Sequence, residues 1–220
     1  KLNRYNDIPL NEDFNNWWYL GRRKILNLKI KKYLDFNAKE LSILEIGPGT
    51  GANITELQKF GTVDVLEIDD YFIELISNNN SLKVNNIFKE FKEIKKNYDL
   101  IVILDVLEHI EKPKNFLEEI HSILSENGLM ILSVPAHQSL FSEHDVLLKH
   151  YRRYSMESLA EELRGKFITI EFFWFNFLLF PFRFIQIKIM KGSVNSDTSV
   201  SYLVNKIFTL IVSLELIFIK

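Results

Sequence analysis

Residues 45–51 read Glu-Ile-Gly-Pro-Gly-Thr-Gly, and they stand where a short apolar run, Ser42 to Ile46, gives way to helical spacing. Three glycines in five positions let the backbone turn tightly and approach a ligand closely, and a following helix offers free N–H groups at its start. The run–glycine–helix order constrains this stretch to the ligand-binding corner of an open α/β sheet. The loop alone leaves the ligand open. Gly47, Gly49 and Ala52 also satisfy a dinucleotide fingerprint, and a glycine turn without any ligand is the bland alternative.

The flanking pattern extends this unit. Residues 12–36 carry Trp17, Trp18, Leu20 and Ile25 through Leu34 near helical spacing, with a basic cluster at Arg22-Arg23-Lys24. After the loop, a helix is expected from Ala52 to Phe60, with Gly61 ending it. Val63 to Ile68 reads as a second strand, Asp70 to Ser77 as a helix, and Leu82–Ile87 as a weak third strand. Tyr98 to Leu104 is apolar enough for a strand buried on both faces of a parallel sheet. Pro113 opens a helix with Phe116, Leu117, Ile120 and Leu124 on one face and Asn127-Gly128 as its stop. Leu129 to Val134 supplies a fifth strand, a His-rich polar loop covers 136–154, and Ser155 caps a helix through Arg164. Phe167 to Phe173 is strand-like again, and 202–219 is one apolar helical segment after a polar break at 191–201. Such alternation predicts an α/β fold: a doubly wound, mostly parallel sheet with an N-terminal helix and a C-terminal helical extension.

At 220 residues the chain has room for one such domain, divided here into 1–171 and an apolar extension or cover at 172–220. Its 27 Lys+Arg against 29 Asp+Glu argue against a dedicated nucleic-acid binder, which would usually show a basic face. The absence of cysteine excludes disulfide scaffolds and thiolate nucleophiles and fits a reducing compartment. No secretory signal opens the chain at Lys1-Leu2-Asn3-Arg4, so a cytoplasmic place is expected, with membrane association left open. The unusual count is 18 Phe, many of them late. Residues 172–190 are broken by Asn176, Pro181, Arg183, Gln186 and Lys188, which argues against a spanning helix there. Peripheral membrane contact through 172–190 or 203–219, a homodimer interface, or a cover over an oily acceptor pocket all remain open.

Three features bear on the ligand of the glycine loop. Glu67 closes the second strand 16 residues beyond Gly51, where a ribose diol would lie. Glu45 sets a carboxylate beside the loop, which suits a sulfonium carrying an ammonium group better than a pyrophosphate. About 40 residues with a helix precede the first strand, whereas dinucleotide domains often begin at that strand.

Taken together, Glu45-x-Gly47-x-Gly49-x-Gly51, Glu67 and Tyr98-Asp-Leu-Ile-Val-Ile-Leu-Asp-Val-Leu-Glu-His-Ile110 resemble the class I S-adenosylmethionine-dependent methyltransferases. Asn127-Gly-Leu-Met-Ile-Leu-Ser-Val-Pro135 resembles the fifth strand of that family. Trp17-Trp-Tyr-Leu-Gly-Arg-Arg23 and His150-Tyr-Arg-Arg-Tyr-Ser155 are similar to a bacterial small-molecule branch. The resemblance covers roughly 12–171. It implies S-adenosyl-L-methionine as cofactor and S-adenosyl-L-homocysteine as product. It also implies Gly47, Pro48, Gly49 and Gly51 under the cofactor, Glu45 near its amino group, and Glu67 on the ribose with Ile68 beside it. Asp105, Val106 and His109 would line the site near the sulfonium. One departure is Asn86, the nearest match to an acid after the third strand that meets the adenine amino group; its amide oxygen can accept that bond.

Methyl transfer needs positioning and, for a hydroxyl acceptor, removal of a proton. The candidates for that base are His109, His144 and His150, with His137 a further histidine of the same loop. His109 could instead cap backbone, and His121 is expected on a helix surface. Arg22, Arg23, Arg152 and Arg153 could clamp a carboxylate or phosphate, Arg22 on the cofactor, or form a solvated basic face. Trp17, Trp18 and Tyr19 are expected as a lid or as core packing. Glu108, His109 and their neighbours match no strong metal spacing, so no metal is expected. The expectation is methylation of a small molecule at oxygen, its acceptor lipophilic or a saccharide. The rivals are an NAD(P)-dependent oxidoreductase and a non-catalytic S-adenosylmethionine-binding protein.

Overall fold

Five strands hydrogen-bond in the order β3-β2-β1-β4-β5, and every pairing is parallel. They are β1 (Leu41–Ile46), β2 (Gly61–Leu66), β3 (Val84–Phe88), β4 (Tyr98–Leu104) and β5 (Leu124–Ser133). The helices are α1 (Trp17–Tyr33), α2 (Ile54–Leu57), α3 (Asp70–Asn78), α4 (Pro113–Ile123), α5 (Glu143–Leu147), α6 (Met156–Leu163) and α7 (Tyr202–Ile219). The structure is a computed structural model that describes residues 14–36, 39–181, 184 and 201–219.

Period-two alternation along buried strands sends successive side chains to opposite faces. On one face Leu44, Ile46, Ile101 and Ile103 meet Leu117 and Ile120 of α4 and Leu159 and Leu163 of α6. On the other, Ile43, Val63, Val65, Leu100 and Val102 meet Leu26 and Ile30 of α1, Ile54 and Leu57 of α2, and Ile76 of α3. The expected α/β sheet with an N-terminal and a C-terminal helix is therefore the fold observed.

Three local expectations are corrected. The helix after the glycine loop is only Ile54–Leu57, and Gly61 opens β2 instead of ending a helix. The reason is a close approach: a Cβ on Gly61 would lie 1.9 Å from the Leu41 carbonyl oxygen in the neighbouring strand. Helix α4 stops at Ile123, before Asn127-Gly128, because Leu124 already pairs with Tyr98. The register then shifts, with Asn127 at positive φ, and regular pairing resumes at Leu100 and Leu129. Residues 167–173 form no strand. Glu171 is instead tied to α1, accepting from Lys29 Nζ (2.8 Å) and the Tyr33 hydroxyl (2.7 Å).

Helix α7 lies against α1, with Asn205 and Glu215 turned inward. Asn205 Oδ1 accepts from the Trp17 N–H (2.7 Å), and the fully buried Glu215 accepts from the N–H groups of Phe177 and Leu178. Leu203, Leu210, Leu214, Ile217 and Phe218 face outward and are exposed. By length and composition α7 is long and apolar enough to cross a membrane. Of the candidate contact segment 172–190, residues 182–183 and 185–190 lie outside the described residues.

Gly61→Ala is expected to destabilise the fold by about 3 kcal/mol or more, since backbone atoms of β1 must shift to admit the methyl group. Urea unfolding checks this, and an unchanged midpoint would remove the close-approach account of Gly61.

Candidate active site

The chain leaves β1 toward the α2 face of the sheet and leaves β4 toward the α4 face, so the C-terminal ends of these adjacent strands border a crevice. On the β1 side, Gly47, Gly49 and Gly51 all have positive φ. A side chain on Gly47 would reach to 2.6 Å from Val106 Cγ2, so the two loops touch there because Gly47 has none. On the β4 side Asp105 also holds a positive φ of 55°, fixed by its N–H on the Ser133 carbonyl (3.0 Å) and its Oδ1 on the Ser133 hydroxyl (2.9 Å).

Arg22 reaches this crevice from α1. It is 8% exposed, pairs with Asp105, and lies under the Trp18 ring. Burial lowers its pKa to about 10 even though Tyr19, Glu108 and Glu45 oppose that shift. Glu45, at the end of β1, is 1% exposed. Its Oε1 accepts from Asn53 Nδ2 (3.0 Å), while Oε2 has no partner. Burial pushes the Glu45 carboxyl up to about 7, against Asn53 and Arg22, which favour its charge.

Glu67 follows β2 directly and folds over the glycine loop. Its Oε1 accepts from the N–H groups of Ile68 (2.8 Å) and Asp69 (3.0 Å), and its Oε2 from that of Gly49 (3.3 Å). Burial still raises its pKa. A carboxylate offers about four lone-pair sites, so hydroxyl donors can be accepted in addition. Ile68 beside it is 81% exposed. Pro48 contributes its carbonyl to the Gly51 N–H (3.0 Å). Asn86 is placed elsewhere. It lies inside β3 rather than after it, and its amide donates to Asp64 (3.0 Å) in a polar cluster with Tyr98 and Lys96.

Beyond Asp105 the structure gathers Glu108, His109 and His150, one donor atom of each lying within 4.8 Å of the others. His150 bonds Asp145 Oδ1 through Nδ1 (2.9 Å), holds Nε2 4.0 Å from Glu108, and meets the His109 ring edge-on at 4.6 Å. The exposed His109 has its pKa lowered by burial of the ring and by His150, against bonds to the backbone of Lys149 and Leu148. His144 stands on α5 next to Asp145, half-buried, its carbonyl accepting from the Leu148 N–H (3.0 Å). A divalent ion spans ligand pairs of at most roughly 4.2 Å at bond lengths near 2.1 Å, so the three donors would have to draw together to hold one.

The remaining arginines brace backbone and structure rather than standing free. Arg23 donates to the carbonyls of Ala52 and Phe14, Arg152 to that of Glu111, and Arg153 to the Asp145 carboxylate. Trp17 and Trp18 pack edge-on or tilted against Phe208 and Phe175. Two central groups entered the sequence reading only as neighbours, Glu108 of His109 in a metal set that was set aside and Asp145 of His144: Glu108 is buried with neither oxygen hydrogen-bonded, and Asp145 is fully buried and bonded to His150 rather than His144. For Asp145 a signal existed, since Ser142-x-x-Asp145 has the form of a capping box.

A family model described as a methyltransferase domain matches residues 17–170. A ubiquinone biosynthesis O-methyltransferase of Rickettsia canadensis is 29% identical over 100 residues, 43% of this chain and 42% of that protein. A malonyl-[acyl-carrier protein] O-methyltransferase of Halalkalibacterium halodurans is 29% identical over 133 residues, 56% of this chain and 49% of that protein. The chain thus spans somewhat under half the length of these relatives. Among solved structures, a Bacillus halodurans protein described as a putative methyltransferase superposes with a TM-score of 0.53 at 14% identity, over 64% of this chain and 67% of that one. Magnesium protoporphyrin IX methyltransferase from Synechocystis, crystallised with bound SAM, gives 0.53 at 16% identity, over 77% and 79%. At these identities the structures establish the fold.

Burial pushes the Glu108 carboxyl up to about 7 despite Arg22 and Arg153 nearby. The folded state therefore binds more protons than the unfolded one between about 4.5 and 7, and this group's contribution to stability is lost as pH rises through that window. Glu108→Gln removes the titration. Relative to wild type it should gain stability, on the order of 2–3 kcal/mol, from pH 4.5 to pH 8. Unfolding of both proteins across that range checks it, and a pH-independent difference would contradict a buried, unpartnered Glu108.

Proposed function

The chain belongs to the methyltransferase-domain family, and from this premise we propose that it binds S-adenosyl-L-methionine in the β1–β4 crevice and methylates a small molecule at oxygen. The observation that carries this reading is Glu45 Oε2, a buried carboxylate oxygen without a partner beside the glycine loop. A cationic ammonium fits there, whereas a pyrophosphate would meet a second negative group, which disfavours the dinucleotide alternative. Arg22 would face the carboxylate of the same ligand, Glu67 its ribose hydroxyls and Ile68 its adenine. Gly47, Gly49 and Gly51, with Asp105 and Val106 opposite, would shape the floor. When bound, the sulfonium supplies an already activated methyl group.

The chain's own residues then have two roles. The crevice orients the acceptor in line with the transferred group, and a base takes its hydroxyl proton. His109 is the residue best suited to act as that base, since it is exposed at the crevice end and its lowered pKa keeps it neutral near neutral pH. His150 stands behind it, and His144 lies farther along the same loop. Methylation at oxygen agrees with the names of both curated relatives. A lipophilic acceptor is supported by the exposed aromatic residues Phe172, Phe173, Trp174, Phe177 and Phe180, with Trp174 stacked on His137. On this reading residues 172–220 cover the 1–171 unit. The absence of cysteine favours the cytoplasm, and the apolar outer face of α7 favours contact with a membrane surface or a second copy.

Thermal unfolding with S-adenosyl-L-homocysteine and with NAD in separate samples tests the cofactor. Saturation at about 100 times the dissociation constant adds roughly 2.7 kcal/mol, a rise of about 5–10 °C for a chain of this size. A rise with NAD alone would overturn the proposal. Glu67→Ala should weaken S-adenosyl-L-homocysteine binding about tenfold or more, the cost of losing hydrogen bonds to a charged group. Unchanged affinity on titration calorimetry would remove Glu67 from the ribose.

A further inference from the structure

Between Trp174 and Phe180 the chain touches two walls of the crevice in turn. The Trp174 ring stacks on His137, in the loop after β5, with centroids 4.9 Å apart and planes 9° from parallel. Phe180 meets the same imidazole at 4.9 Å. Phe175, between them, packs instead on Trp18 of α1 (5.2 Å), the ring that covers the Arg22 guanidinium. Asn176 follows, where the chain turns.

Asn176 has a φ of 63°, in the left-handed region. Asparagine enters that region because its short amide can bond nearby backbone. At the start of a turn such a bond would run from the amide oxygen to an N–H two or three residues on, as in a helix cap. Here those donors are already taken. The N–H groups of Phe177 and Leu178 go to the two carboxylate oxygens of Glu215 on α7 (3.1 and 3.4 Å), and the Leu179 N–H goes to the Asn176 carbonyl (3.2 Å). Asn176 Oδ1 and Nδ2 are left without a hydrogen-bond partner among the described residues, and both atoms are buried. A hidden amide with one acceptor and two donors unmet is costly. Glycine would make the same turn with neither cost.

We propose that Asn176 is a specificity-determining residue of the acceptor site: its amide hydrogen-bonds the hydroxyl of a ring-shaped acceptor whose flat apolar face rests against Trp174 and Phe180. Because solvent does not reach the amide, its partner enters from the crevice side of the segment. Trp174 and Phe180 are 40% and 37% exposed, and aromatic surfaces of this kind take up flat apolar rings. An amide sets a donor beside an acceptor, which matches a hydroxyl that both gives and receives. An acceptor lacking the hydroxyl would leave the buried amide unmet and be rejected for that reason. Phenolic and sugar rings share the required chemistry. Glu215 acts through the turn, since its capture of the two N–H groups is what frees the amide. This deepens the methyl-transfer reading and rests on it.

The test uses Asn176→Gly, which keeps the left-handed turn and removes only the amide. With no structural duty lost, its urea midpoint should match or exceed that of wild type, and its affinity for S-adenosyl-L-homocysteine should be unchanged. Phenol and methyl glucoside, added separately to the 15N-labelled full chain saturated with S-adenosyl-L-homocysteine, are the probes. The side-chain NH2 signals of Asn176, assigned by their loss in Asn176→Gly, should shift with one of them, and which one separates an aromatic from a saccharide acceptor. The same probe, followed at the His137 ring, should bind Asn176→Gly about fivefold more weakly, the effect of one neutral hydrogen bond. A clear fall in the urea midpoint, or a variant that fails to fold, would make the amide structural and overturn the proposal. NH2 signals that move with neither probe would overturn it as well. Failure of the methyl-transfer reading has a different signature, the absence of S-adenosyl-L-homocysteine binding in the wild type.

Discussion

The crevice depends on a guanidinium that has been taken out of water. Arg22 is buried where α1, β1 and the loop after β4 converge, with Asp105 as its ion-pair partner and Glu45 and Glu108 within electrostatic reach. A lone buried cation would cost several kcal/mol, and so would each lone buried carboxylate; grouped, they offset one another. The balance is incomplete. One arginine faces three acids, and the two not paired directly are those whose protonation burial favours. The chain's own groups relieve this imbalance by holding protons near neutrality. A positively charged ligand would relieve it better, because it supplies the missing charge without requiring the carboxyls to be neutral.

Two backbone segments turn through the left-handed region beside this ion pair. Gly47 and Asp105 both take positive φ, one on each side of the crevice. Gly47 does so without cost, and its missing side chain lets Val106 pack over the loop. Asp105 carries backbone strain and is held by Ser133 and Arg22. The strain turns its carboxylate toward Arg22, so the ion pair and the strand-end geometry support each other.

Much of this was legible in the sequence because it is local. The glycine loop, the doubly apolar β4 and the Ser155 cap each depend on residues a few positions apart, and the structure has them where periodicity put them. What escaped depends on partners distant in sequence. Gly61 looks like a helix terminator until Leu41, 20 positions earlier, is seen to leave no room for a side chain. Asn127-Gly128 looks like a stop signal, yet the pairing of Leu124 with Tyr98 ends the helix first. Asn86, Arg23, Arg152 and Arg153 were candidates to face a ligand, but Asp64, Asp145 and backbone carbonyls take their hydrogen bonds. That Glu108 has no hydrogen-bond donor on either oxygen could not be read at all, since it is a property of the folded chain.

The position of α1 links the crevice to the apolar C-terminal segment. One side of α1 packs Leu26 and Ile30 on the sheet, and Arg22 extends from it to Asp105. The other side accepts α7 so closely that a Cβ on Gly21 would lie 2.6 Å from Val212. Lys29 then binds both Glu171 (2.8 Å) and the Ile219 carbonyl (2.6 Å), tying the end of α7 to the same helix. Asn205 and Glu215 are taken up by this bracing, and Leu203, Leu210, Leu214 and Ile217 are among the residues left on the outward face. An apolar outer face is thus the counterpart of an inner face committed to holding α1.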